Sequence, residues 1–582
     1  MAGTARPADR EPSFTKPRFL LTDRPAEPFR KRLAMLKNER TPHEGDWREI
    51  SQNIRPTRGL WTAEEQRRRK SASSIINNTP LLASRTLGAG MMSGITSPAR
   101  PWFRLTTGDP ARDEAAGVKM WLHVVTRRIQ HVLASSNFYT SRQQIYPDVG
   151  DYGTGVVIID DDFENIVRFT VLPVGQYWLG TDKNDRVDTV YRAFGMTVLQ
   201  LVRKFGYENC SQTVRDMYDR SQYDQMVKVI HAIEPNLQQV RGIKGPRGMP
   251  YVCVYFEEEN GEDKLLSFKG YRDLRIAAPR WDVQAGEVYG VGPGWYALPD
   301  AKGLQVLERR KAQAIDRMVT PPTQSPAGLT GVNWLPGANT VVPTNVAQGS
   351  AAIRPIYEQR ADGITAIRGE IDATEQRVNS AYYADLFLML SQSDRREITA
   401  REIEERHEEK LLALGPVLER QHNEDLNINI DAVFNRLVDV SKPMWAQDMD
   451  GVIPPPPKEL ADVELKVEYV SILAQAQRAV TVGGIERLVG FTGNLAGVKP
   501  EVLDKIDFDQ AIDEYADAIG TPPAVVRSDE AVKQIRDQNA AAMQQQQAAA
   551  AMPAAAQSAK LLSEARTSDG GSILDQVLGV NQ

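Results

Sequence analysis

Between residues 297 and 384, two amphipathic helical patterns of nearly matched length bracket a 36-residue insert, Pro321 to Ile356, whose only charge is Arg354. Such an arrangement describes a rod with a structured tip rather than a catalytic pocket. Pro299 and Asp300 signal the start of the first helix, Leu304, Leu307, Ala314 and Met318 recur along it, and Pro321-Pro322 stops it. The second pattern sets Ile364, Ile367, Ile371, Val378 and Tyr382 on one seam at coiled-coil-like spacing. At the helical rise per residue each helix would run roughly 35 to 40 Å. Both keep Arg, Lys, Asp and Glu on their other faces, so they are expected to pack together and still present charged walls. The insert holds six prolines and four glycines, yet Leu329, Val332, Trp334, Leu335, Val341, Val342 and Ile353 give it strand-forming content. A flexible linker would be more charged and less apolar. The plainer alternative is a helix, loop and helix inside an ordinary core.

The remaining composition bounds the class. With 582 residues, 41% hydrophobic and 25% charged, the chain can bury several cores. Its two cysteines, Cys210 and Cys253, stand in neither a C-x-x-C nor a zinc-ligand spacing, which fits a reducing compartment. The first residues lack an apolar leader, and no stretch approaches the ~18 apolar residues that span a bilayer, so a soluble protein without membrane insertion is expected. Residues 1–70 hold 17 Lys and Arg against 10 Asp and Glu, which leaves −13 on the remainder of a chain whose net charge is −6. This basic arm, densest at Arg67-Arg68-Arg69-Lys70, reads as solvated surface or as a contact with an acidic partner; subunit or shell contact is favoured over specific DNA recognition.

Along the chain, residues 1–25 read as a disordered arm. Helical signals begin near Phe29, with Leu33 and Leu36 on one side, and a second helix opens near Pro80 and is expected to give way to a glycine-rich loop after Leu87. A further helix spans about Asp113 to Ala134. From residue 154 the period becomes two, predicting strands over Gly155–Asp160, Val167–Val174, Val187–Phe194 and Val227–Ile233. A hairpin joins Tyr251–Phe256 to Lys264–Phe268 across Asn260-Gly261. Asp160-Asp161-Asp162 lacks the distal Glu of a calcium loop and reads as a strand-ending turn. After the rod, Leu386–Leu390 should end the second helix and Ser391–Arg396 form a polar loop. Thr399 then caps a long helix that runs to about Asp439, with Gly415-Pro416 expected to kink it. Val463–Val470 alternates as a strand, and helices follow. The tail after Ser528 is rich in Ala and Gln, suited to a marginal helix or to disorder.

No catalytic set is evident. There is no phosphate-cradling G-x-x-x-x-G-K-[ST] loop, no H-E-x-x-H and no G-x-S-x-G. Gly290-Val291-Gly292-Pro293-Gly294 lacks dinucleotide-binding spacing and reads as a loop. His123 and His131 could share a helix face, but nothing near them completes a metal site. No catalytic residue, metal or cofactor is expected.

Three strings carry a family resemblance: ASRTLGAGMMSGITSPARPWFRL at residues 83–105, YGVGPGWYALPDAKGLQVLERRKAQAIDRMVTPP at 289–322 and VEYVSILAQAQRA at 467–479. In that order they resemble the portal protein, or head-to-tail connector, of short-tailed bacteriophages, over residues from about 30 to about 520. The resemblance implies an α+β portal architecture. Residues 26–296 would be the first part of the wing, 297–320 and 357–385 the two stem helices, 321–356 the clip and 386–396 the tunnel loop. Residues 397–470 would form the kinked helix and wing return, 471–527 a helical crown and 528–582 the tail. It further implies a ring, of twelve copies, at one vertex of the virion, assembled in the host cytoplasm. The implied partners are the major capsid protein, the scaffolding protein, the terminase large subunit, the tail adaptor and nozzle proteins, and double-stranded DNA passing non-specifically. Alternatives are a structural adaptor or scaffold without a channel, or an enzyme of packaging.

Twelve copies would carry a formal −72, so a wall tuned for tight DNA binding is not expected; each phosphate held by a cation is a sticking point for a duplex that must slide. Arg395 and Arg396, with Gln392 in the same loop, are the first candidates for a cationic ring facing DNA. Arg309, Arg310, Lys311 and Arg317 on the first stem helix come next, with intersubunit salt bridges as their alternative role. Trp334, Leu335 and Arg354 are the candidates for docking the motor or adaptor.

Overall fold

The computed structural model describes residues 24–61, 75–113, 115–162, 164–259, 264–284, 286–320, 323–324, 354–355, 361–392, 414–438, 453–460, 463–470, 488–495, 505–519 and 532–543. The chain divides into two compact units. The first comprises Met1–Arg104, Val125–Pro454 and Tyr469–Arg478, and the second Leu105–Val124, Pro455–Glu468 and Ala479–Gln582.

In the first unit, helices α1 (Glu27–Asn53), α2 (Thr79–Ile95) and α3 (Phe138–Tyr152) precede strands β1 (Val156–Asp162), β2 (Ile166–Leu172), β3 (Tyr177–Thr181) and β4 (Val187–Thr197). Two short helices follow, α4 (Val198–Phe205) and α5 (Gln212–Asp219), and then β5 (Met226–Pro235), β6 (Tyr251–Glu257), β7 (Ser267–Tyr271) and β8 (Ile276–Ala277). The strands form an antiparallel five-stranded sheet in the order β3-β4-β5-β6-β7 and a smaller sheet, β2-β1-β8. The expected hairpin is present, with Tyr251 opposite Tyr271 and Tyr255 opposite Ser267. Phe29, Leu33 and Leu36, spaced for one face of α1, bury against Trp178, Tyr191, Ile230, Val254 and Phe256 on the larger sheet. Strand β3 was not anticipated; no element was expected between Val174 and Val187.

Two expectations fail, the first through helix packing and the second through ion pairing. Gly88, Gly90 and Gly94 do not form a loop; α2 continues through them to Ile95. A Cβ on Gly88 would meet Pro147 Cγ of α3 at 2.4 Å, and one on Gly90 would meet the Phe387 ring at 2.2 Å. These glycines let helices approach closely, a use that outweighs their low helix propensity. Similarly, the Asp160–Asp162 run is not a turn but the end of β1. There Asp161 accepts Arg436 Nε at 2.8 Å and pairs with Arg275 at 3.0 Å.

The rod is a pair of packed helices, α6 (Pro293–Val319) and α7 (Ala361–Ala381). Helix α6 begins at Pro293, well before Pro299, so Gly290–Gly294 is only partly loop. Proline suits that first position because its missing N–H would be unpaired anyway. The ends of the insert are joined by two-residue strands β9 (Thr323–Gln324) and β10 (Arg354–Pro355), with Thr323 opposite Pro355 and Gln324 opposite Arg354. The second rod helix does not run on to Leu390. It stops at Ala381, Tyr383 turns with φ +54°, and a new helix, α8 (Ala384–Gln392), follows. Leu386–Leu390 are helical, as the local pattern predicts, but in this new helix, which also takes in Ser391 and Gln392 of the expected polar loop.

Residues 414–421 are helical and include Gly415-Pro416; the upstream arm of the expected kink lies outside the described residues. A π turn, His422–Leu426, interrupts the helix further on, before α9 (Asn427–Val438). In the second unit, helical segments include Phe508–Ile519 and residues 532–543. Arg536 donates to both Asp509 oxygens at 2.6 and 2.8 Å, so part of the Ala/Gln-rich tail is helix.

Candidate functional site

The paired helices differ sharply between root and tip. At the root, Gln305 on the buried face of α6 accepts the N–H groups of Ile76 and Asn77 at 2.7 and 3.0 Å and returns its amide to the Asn77 carbonyl at 3.0 Å. Asn77 in turn donates to Glu375 of α7 at 2.7 Å and Glu308 of α6 at 3.2 Å. Just past α7, Tyr382 donates to Asp151 Oδ1 at 2.8 Å, and Ser84 of α2 donates to Oδ2 at 2.8 Å. Burial pushes the Asp151 carboxyl up, against the pull of Arg55, Ser84 and Tyr382. Arg55 reaches this carboxylate at 3.4 Å and Asp148 at 2.9 Å. The root is thus fastened to α2, α3 and the segment before α2 through paired, buried or part-buried polar groups.

Toward the tip that cover fades. Leu304, Ile371, Val378 and Tyr382 are buried, whereas Leu307, Ile364 and Ile367 are half-buried. Ile315 is 44% exposed, Met318 49% and Val319 71%. The apolar seam outlasts the partner that covers it within one chain.

The predicted cations separate on this rod. Lys311 is engaged with Glu308 at 2.6 Å. Arg309, Arg310 and Arg317 are exposed and make no ion pair among the described residues. Arg310 and Arg317, seven residues apart, fall in one row, while Arg309 is rotated from Arg310 by about 100°; all three cannot face the same way. Arg354 is in β10, and Gln392 is the last residue of α8. Trp334, Leu335, Arg395 and Arg396 lie outside the described residues.

The π turn ties the helical stretch of residues 414–438 to α3 and to Arg280. Asp425 pairs with Arg142 of α3, both fully buried. Glu424 accepts Arg280 Nη2 at 2.5 Å and the Arg280 backbone N–H at 3.0 Å. His422 stacks on Tyr469 with centroids 3.7 Å apart, and burial pushes its pKa down to about 4. Sequence reasoning missed Gln305, Asn77, Asp151 and this turn. The available signal was a polar Gln on an otherwise apolar helix face.

One contact imitates a nucleophile and base. His231 Nε2 lies 3.2 Å from Cys253 Sγ, but Arg192 Nε donates to His231 Nδ1 at 3.0 Å, so Nε2 carries the imidazole proton and donates to sulfur. Burial pushes the thiol up to about 11 and the imidazole well below its usual value. The pair is a packed polar contact of the sheet, not an activated thiolate. Among the described residues, no cluster of three or more His, Cys, Asp or Glu could hold a metal, and no helix is long and apolar enough to cross a membrane.

The profile of the family described as bacteriophage head to tail connecting protein matches residues 26–526. A Bordetella phage BPP-1 protein described as "Probable portal protein" is 41% identical over 547 residues, covering 94% of this chain and 96% of the relative. The "Portal protein" of Salmonella phage epsilon15 is 40% identical over 547 residues, covering 93% and 96%.

Proposed function

This chain belongs to the family of bacteriophage proteins that connect head to tail, and on that premise we propose that it is the portal subunit, a structural and non-enzymatic part of the capsid vertex through which genome DNA is packaged and released. The observation that best supports an assembled channel is the contrast along the helix pair, fastened at its root and apolar but uncovered toward its tip. Repetition around an axis covers such a seam, as single chains seldom leave one exposed.

In this reading the protein is a ring of twelve copies in the virion, made in the host cytoplasm. Helices α6 and α7 are its stem, residues 321–356 its clip and residues 393–396 its lumenal loop. Residues 471–527 are its crown. The clip, through Trp334, Leu335 and Arg354, docks the terminase large subunit and later the tail adaptor and nozzle proteins. The body meets the major capsid protein and the scaffolding protein. DNA passes an acidic lumen with sparse cations, Arg395 and Arg396 first and one row of Arg310 and Arg317 second, which guide the duplex without holding it.

Negative-stain imaging of the purified chain should show rings with a central hole; solid particles or monomers at all concentrations would overturn the channel. Replacing Arg395 and Arg396 with Ala should leave rings intact and change DNA retention or packaging rate, with an effect that shrinks as salt rises. Failure of that variant to form rings would make the arginines structural instead.

A further inference from the structure

Helix α6 carries a second surface, nearer its root, that its own chain does not cover. Trp295, Pro299, Lys302, Val306, Arg309 and Gln313, spaced three and four apart, form one ridge and are all exposed. The ridge lies opposite the face that buries Ala301, Leu304 and Ala314. Its lower end is held by α1. There Trp295 Nε1 donates to Asp46 at 2.9 Å, and Lys302 pairs with Glu49 at 2.8 Å. Higher up, Val306 is 45% exposed, and Arg309 makes no ion pair among the described residues. A ridge built on a packed helix needs little ordering when it docks.

A groove between α2, α7 and α8 has the matching chemistry. Leu82 and Leu388, 56% and 48% exposed, wall it together with Thr86 and Asn379. Glu375 and Asp385 add negative charge, and no cation lines it. Glu375 accepts Asn77 Nδ2 at 2.7 Å and Thr79 Oγ1 at 3.2 Å, while Asp385 is exposed; neither makes an ion pair among the described residues. No residue of α6 lines the groove, so ridge and groove are different surfaces. They stand at the same height along the rod. Asn77 reaches both Glu375, in the groove, and Glu308, the α6 residue between Val306 and Arg309 in height.

We infer that the α6 ridge of one copy docks in this groove of a neighbouring copy, with Val306 against Leu82 and Leu388 and Arg309 beside Asp385. The inference rests on the ring reading. A closed ring of identical subunits needs two different, complementary patches on each copy. Rotation about an axis along the rod preserves height, so patches at one level can meet. The apolar pair supplies the dry centre of the contact, and the opposite charges set its register. Arg309 thereby has a role apart from the row of Arg310 and Arg317, which it cannot share.

The test is cross-linking in the full chain, whose own Cys210 and Cys253 are buried. V306C combined with T86C, treated with a short bifunctional maleimide, should give a ladder of covalently joined chains, and neither single variant should. Rings that form without such joining, or joining only within one chain, overturn the inference. A charge exchange supplies the second readout, by sedimentation and negative stain. R309E should raise the concentration needed for ring assembly about tenfold, less so at high salt, and D385R should do the same. Together they should recover assembly to within about threefold of the unsubstituted chain. Normal assembly by both single variants, or a combined variant no better than the worse of the two, also overturns the inference. Those outcomes leave the portal reading standing, whereas absence of rings from the unsubstituted chain would remove both.

Discussion

The five-stranded sheet and the helix pair solve the problem of burial differently. On the sheet, Trp178, Tyr191, Ile230, Val254 and Phe256 are closed over by Phe29, Leu33 and Leu36 of the same chain. The helix pair buries Leu304, Ile371 and Val378 but leaves Ile315, Met318 and Val319 at 44%, 49% and 71% exposure. One region is complete as a monomer. The other leaves apolar side chains uncovered, so in the proposed ring the stability of the subunit and the competence of the assembly would reside in different residues.

That division can be broken by substitution. The largest effect should come from the closed region: Phe256→Ala should cost about 3–5 kcal/mol in chemical denaturation of the subunit. A loss below about 1 kcal/mol would mean that the sheet is not the subunit's main core. Next comes the π turn, which packs beside the smaller sheet. The folded pKa of His422 is pushed below its ordinary value, so its contribution is full above about pH 6.5 and is lost as pH falls toward about 4. The loss should approach about 3 kcal/mol, with fully buried His231 adding in the same direction. His422→Phe keeps a ring on Tyr469 and should flatten part of the stability profile over that interval; an unchanged slope would show that the imidazole does not titrate as described.

A smaller effect is expected where helices touch. Gly90→Ala gains up to about 1 kcal/mol of helix propensity but drives a methyl into Phe387, for a net cost of about 2 kcal/mol. Because the contact includes the base of the Phe387 side chain, at 2.5 Å from the added carbon, rotation of the ring alone does not relieve it. A stabilised variant would show that α2 and α8 separate easily. The smallest change in the subunit should be Ile364→Ala, below about 1 kcal/mol in melting experiments because the side chain is only half-buried. Its effect on ring assembly should be the larger of the two. Equal effects on monomer and ring would erase the contrast drawn between the regions.

What could be read from residues alone followed the same division. Alternation in GVVIID and VRFTVLPV located β1 and β2, Asn260-Gly261 located the β6–β7 hairpin, and the seam from Ile364 to Tyr382 located α7, because each signal is local and periodic. Gly88 and Gly90 were misread since a glycine spared for a close helix contact looks the same in sequence as one spared for a turn. The restart of the helix at Ala384 depends on Tyr383 at positive φ, which no glycine marks. The buried pair of Arg142 and Asp425 spans 283 positions, and the Tyr382 to Asp151 contact spans 231; no spacing rule reaches that far. Family membership came from strings in order, and the candidate cations came from composition, which could not separate Lys311, engaged by Glu308, from exposed Arg310.

The two-rung ladder between Thr323–Gln324 and Arg354–Pro355 ties both ends of the insert at its mouth, with 29 residues between its inner rungs. Anything added to or removed from those residues begins and ends at the same two points. Changes of length or sequence there need not be transmitted into α6 or α7. If the proposed clip role holds, this ladder is a cassette boundary: an engineer should be able to exchange the residues between its inner rungs without redesign of the helix pair that carries them.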